Sequence, residues 1–63
     1  MSVRWPDLSN EEQMALLHIC TEEVAVISDE MSRRLRELGL AEQGHNGIIP
    51  TSEGRLVFRS RWP

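Results

Sequence analysis

The chain has 63 residues, with seven Arg, no Lys, ten Asp plus Glu and a net charge of −3. That length holds one small domain, which buries only about 60% of its unfolded surface. The charge argues against a basic protein that coats nucleic acid. One Cys allows no intrachain disulfide, so the usual staple of very small domains is missing. No apolar run reaches the ~18 residues of a membrane span. The start, MSVRWPDLS, has no apolar core of the secretory type. With a free thiol, the expectation is a soluble cytoplasmic protein with no membrane partner.

The charge is segregated. Residues 1–31 carry one Arg and seven acids, net −6, whereas residues 32–63 carry six Arg and three acids, net +3. Such asymmetry points to a polar partner, to self-complementary pairing between copies, or to neutralisation within the folded chain. The last is the simplest expectation for a small domain.

Residues 1–8 read as an extended lead-in, because Pro6 biases Trp5 away from helix. Ser9, followed three residues later by Glu12, has the spacing of a capping box and opens a helix running to about Cys20. Met14, Ala15, Leu16, Leu17, Ile19 and Cys20 give that helix a wide apolar face. Thr21–Ile27 is ambiguous. Thr21 could cap a short helix, and β-branched Val24, Val26 and Ile27 suit an extended segment equally well.

Ser28 opens a second helix with Asp29 and Glu30 in its first turn. Met31, Leu35 and Leu38 form one stripe at i, i+4 and i+7. With Gly39 as the first residue past the helix, Leu40 and Leu35 are the pair that touches in a Schellman motif. Two short extended segments then flank Gly44-His45-Asn46-Gly47, a hairpin pattern in which Asn46-Gly47 tolerates positive φ. Pro50 ends the second strand or sits at an edge. Thr51 or Ser52 caps a last helix that turns Leu56 and Val57, with Phe58, toward the core. Residues 60–63 read as a tail. Arg-Trp-Pro occurs at residues 4–6 and 61–63. Coincidence accounts for the repeat, unless the two ends lie close and their indoles share one surface.

The run MSRRLRELGLAEQGHNGIIPTSEGR, Met31 to Arg55, resembles the second half of winged-helix domains, notably of the multiple-antibiotic-resistance-type bacterial regulators. There a recognition helix leaves through a Leu-Gly-Leu-type turn, a two-stranded wing follows, and Leu-Thr-x-x-Gly-Arg opens another helix. Arg36–Glu42 matches the helix exit, and Pro50–Arg55 matches the wing exit, with Pro where Leu is usual. The resemblance implies a minimal α+β, mostly helical winged-helix-like domain over residues 1–63: helix, short linker, helix, hairpin wing, short C-terminal helix. It departs from the family in two ways. Only Thr21–Ile27 stands where a full supporting helix is expected, and the wing tip carries no basic residue.

The resemblance makes Ser28–Leu38 the recognition helix. Steps of about 100° per residue place Arg33 and Arg36 opposite the Met31 stripe, with Arg34 on its flank. Ser32, Arg33 and Arg36 then face phosphates or guanine edges. Arg55 and Arg59 share a face of the last helix and form a second basic group. Against this, Asp29, Glu30 and Glu37 stand four residues from Arg33 or Arg34 and could pair with them on a solvated face.

His18, Cys20 and His45 have no zinc-type spacing, so no metal or cofactor is expected. Cys20 reads as a small buried hydrophobe and His45 as an exposed turn residue. A chain this short has little room for a supported catalytic pocket. The expectation is therefore a binding protein and not an enzyme, with no small-molecule substrate. Two readings remain. One is a homodimeric DNA-binding transcription regulator with helix-turn-helix-like docking. The other is a protein-interaction module of the same fold that binds no nucleic acid and contacts its partner around Val24, Val26, Ile27, Trp5 and Trp62.

Overall fold

A computed structural model describes residues 3–22, 26–45 and 47–61 of the chain. They form a small, mostly helical α+β domain with three α-helices and one antiparallel hairpin. Val24, half of the Asn46-Gly47 pair and Trp62 lie outside the described residues.

The lead-in is not wholly extended. Trp5–Asp7 forms one 3-10 turn. Pro6 sits in the first turn of that helix, where a missing N–H is no loss. The Asp7 carboxylate accepts the Arg4 N–H at 3.1 Å. Gln13 donates its side-chain amide to the Trp5 carbonyl at 2.9 Å, tying the turn to the following helix.

That helix, α1, spans Asn10–Thr21 with Ser9 as its N-cap. The capping box is complete: the Glu12 N–H donates to Ser9 Oγ at 3.2 Å, and the Ser9 N–H donates to Glu12 Oε1 at 2.8 Å. Ala15, Leu16 and Ile19 are buried, whereas Met14 is 53% exposed and Cys20 only half-buried. The apolar face is thus narrower than its sequence implies, because a three-helix domain this small covers only one side of α1.

Thr21 caps no new helix. It ends α1, with its hydroxyl donating to the Leu17 carbonyl at 2.8 Å, and Glu22 turns extended. Val26 and Ile27 are in no regular element. Ser28 caps α2, Asp29–Glu37, by accepting the Met31 N–H at 3.1 Å. Leu35 is fully buried, while Met31 and Leu38 pack against the core from its edge.

The exit from α2 is a Schellman motif. Gly39 has φ 76°, the Leu40 N–H reaches the Leu35 carbonyl at 2.9 Å, and the Gly39 N–H reaches Arg36 O at 3.0 Å. Strands β1, Ala41–Gly44, and β2, Gly47–Pro50, pair antiparallel with Ala41 opposite Pro50 and Gly44 opposite Gly47. Pro50 is tolerated because a two-stranded sheet consists of edges.

Helix α3, Ser52–Arg59, is capped by Thr51, whose Oγ1 accepts the Gly54 N–H at 3.0 Å. Its Val57 is buried. Leu56, expected in the core, is 55% exposed, because α3 turns only one narrow stripe inward. Trp5 meets Phe58 edge-to-face at 6.3 Å between ring centroids, so the start of the chain does lie against the last helix.

The core comprises Leu8, Ala15, Leu16, Ile19, Leu35, Leu40, Ala41 and Val57. Leu16, Leu35 and Leu40 are its largest fully buried members, each contributing about 1.5–3 kcal/mol by burial. Two glycines have distinct physical reasons. A Cβ on Gly39 would meet nothing within 4 Å, so its requirement is the left-handed backbone alone. A Cβ on Gly54 would run into the Leu40 carbonyl oxygen. Gly39→Ala is therefore expected to lose about 1 kcal/mol, recovered in part by Asn. Gly54→Ala is expected to lose about 1–3 kcal/mol or more, because helix and turn must separate. Urea denaturation followed by circular dichroism would rank the two, and equal losses would contradict this assignment.

Candidate nucleic-acid interface and neighbouring grooves

The arginines of α2 are sorted by the fold. Arg34, on the flank, reaches across to α1 and donates its Nε to Glu12 Oε2 at 2.7 Å. Glu12 is buried to 8% exposure, and its two carboxylate oxygens have separate tasks, one in the capping box and one toward Arg34. Its carboxyl is held below the ordinary glutamate value, first by the Ser9 N–H and then by the Arg34 guanidinium.

The same-helix pairs expected of Asp29, Glu30 and Glu37 with Arg33 and Arg34 do not form. Among the described residues the ion pairs within 4.0 Å are Glu12–Arg34 and His18–Glu22. Of these two, the first crosses between the acidic and the basic halves. Arg33 and Arg36 are exposed. Arg36 folds back weakly, its Nε 3.4 Å from the Ser32 carbonyl. Ser32 is half-buried, and exposed Asp29 lies between the two arginines on that face. Arg33 shares a shallow groove of about 400 Å³ with Glu11, Glu30 and Glu37.

Arg55 and Arg59 are also exposed, but they belong to another part of the surface. They border an open groove of about 550 Å³ between α1, β2 and α3, floored by Ile19, Cys20, Ile49, Pro50 and Phe58, with Glu22 at its edge. The arginines expected to act together are therefore divided between two grooves. The hairpin adds Glu42, Gln43 and His45, all exposed, and no arginine. Cys20 is half-buried in the floor of the larger groove. Burial pushes its thiol up, against the pull of the Arg55 and Arg61 guanidiniums.

Of the residues expected to meet a protein partner, Val26 is 89% exposed. Ile27 is half-buried and lines an apolar groove of about 420 Å³ with Met14, Ala15, His18 and Met31. Trp5 offers little free surface, being half-buried against the core and Phe58. Val24 and Trp62 lie outside the described residues.

Sequence reasoning missed two features. Glu12–Arg34 joins residues 22 apart, and no local spacing announces such a pair. Met14 belongs to the apolar face of α1 in sequence, and its exposure depends on which side of that helix the other helices cover. Among the described residues no group of three or more His, Cys, Asp or Glu could hold a metal ion. No helix among them is long and apolar enough to cross a membrane. The chain matches no family model, no curated protein and no solved structure at a significant level.

The Glu12 carboxylate stabilises the fold while it is ionised. Because its folded-state pKa is lowered, that contribution is present above about 4.5 and is lost as pH falls through the folded value. Glu12→Gln is expected to cost about 1–2 kcal/mol at neutral pH. Arg34→Ala is expected to cost less, because that guanidinium is exposed and screened by solvent. Urea midpoints at neutral pH and at about pH 3 test this. The gap between wild type and Glu12→Gln should narrow in acid.

Proposed function

We propose that this chain is a small winged-helix-like binding module, not an enzyme, that contacts DNA through α2. The observation that carries this reading is the state of Arg33 and Arg36. Both are exposed, and neither is paired within 4.0 Å with Asp29, Glu30 or Glu37, although Arg33 borders a groove that Glu11, Glu30 and Glu37 also line. The element order and the α2 exit agree with the resemblance to winged-helix regulators. The supporting helix of that family has no counterpart among Glu22, Val26 and Ile27. The hairpin offers no cation to phosphate. Contact would therefore be small, two arginines per chain, with Arg55 and Arg59 reaching phosphate only where DNA bends around the domain.

Fluorescence anisotropy with a short mixed-sequence duplex tests this. Two phosphate contacts per chain predict a slope of log K against log salt of about −2, or about −4 for a dimer. Arg33→Ala with Arg36→Ala should abolish binding while leaving the helical spectrum unchanged. No binding by the wild type at about 50 mM salt would overturn the reading.

The groove of Met14, Ile27 and Met31 supports a second reading, a protein-interaction module without nucleic acid. An exposed Met beside partly buried aliphatic side chains is a surface suited to burial against another protein. Loss of DNA binding with retention of self-association would select it.

A further inference from the structure

Among the described residues one ion pair within 4.0 Å joins the two halves of the charge distribution, Glu12–Arg34. The second basic edge, Arg55 and Arg59, has no carboxylate within 4.0 Å among the described residues, with Glu22 further off in the same groove. The two residues are four apart on one face of α3. Beside them is an apolar floor that includes Ile49, itself 41% exposed, and Phe58. Elsewhere, the first turns of α1 present the converse surface: exposed Glu11 and exposed Met14, with Ile27 and Met31 completing an apolar groove.

These complementary surfaces cannot meet within one molecule. The basic groove is floored in part by Ile19 and Cys20, near the far end of the same helix that carries Glu11. Nine residues of rigid α-helix hold Glu11 about 13 Å along the axis from Cys20.

We infer that the occupant of the Arg55–Arg59 groove is the acidic, apolar first half of α1 from a second copy of this chain, exchanged about a two-fold axis. Each copy then sets Glu11 against the other's Arg55 and Arg59, and Met14 against Ile49 and Phe58. A two-fold arrangement makes the contact twice and closes it. The accessible surface is 4729 Å², of which a standard interface of about 800 Å² per partner would take roughly a sixth. The inference stands whether or not DNA is bound, and it is tested without DNA.

Sedimentation velocity of the full chain should show a dimer at about 0.01 M salt that weakens at least tenfold in dissociation constant by about 0.15 M. Arg55→Glu with Arg59→Glu should be monomeric, and so should Glu11→Arg with Met14→Arg. Each keeps its helical circular dichroism, because all four positions are exposed. Mixing the two charge-reversed proteins should restore one heterodimeric contact and a measurable dimer. Cys20 gives a readout on the wild type itself: its alkylation should slow as protein concentration rises, since the partner covers the groove floor. A wild-type monomer at low salt, or a dimer indifferent to reversal of Arg55 and Arg59, overturns the inference.

Discussion

Leu40 is held from three sides, and the rest of the domain is arranged by that grip. Its N–H closes the Schellman turn onto Leu35, and its carbonyl accepts the Thr51 N–H at 3.1 Å. Its side chain is 1% exposed in the core. The Thr51 hydroxyl donates to the neighbouring Gly39 carbonyl at 2.6 Å while accepting the Gly54 N–H. Gly54, with no Cβ, lets the first turn of α3 lie directly on the Leu40 backbone. The exit of α2 and the entry of α3 are thus one junction. The hairpin is the loop that leaves this junction and returns to it.

This junction gives physical content to the two motifs behind the winged-helix resemblance. Leu38-Gly39-Leu40 and Thr51-x-x-Gly54 are separated in sequence by a hairpin, yet each completes the other. A carbonyl left over at a helix exit needs a donor, and a helix entry needs both a cap and room. Pro50 does not disturb the arrangement because the ladder ends there. The junction explains why the two segments fold as one unit in this chain. By itself it says nothing about DNA.

Charge placement follows from the same packing. Once α2 leans on α1 through Leu35, Arg34 is carried to Glu12, a carboxylate already committed to capping α1. That leaves Arg33 and Arg36 facing outward. On the other side, docking of α3 through Val57 carries Arg55 and Arg59 to the rim of a groove that α1 and β2 complete. The two basic pairs are separated because α2 and α3 approach α1 from different sides, in a domain with extents of only 31 × 20 × 20 Å.

What the sequence determined by itself was local. Ser9 with Glu12, Ser28, Thr51 and Gly39 mark helix ends because the hydrogen bonds they make lie within a few residues of each other. The Met31–Leu35–Leu38 stripe was legible for the same reason, and so was the hairpin. Tertiary structure decided everything that depends on which side of an element is covered. Pro6 in a 3-10 turn, Met14 and Leu56 in solvent, and Arg34 drawn away from Glu30 all reflect contacts absent from any short window of sequence. The net charge of −3 conceals the same division. Segregation into −6 and +3 halves is written in the residue order, but among the described residues a single cross-pair within 4.0 Å forms. The fold sets Glu11 in one groove with Arg33 and Glu22 in another with Arg55 and Arg59, yet closes no ion pair within 4.0 Å between them, because the packing of α1 fixes where its acids stand.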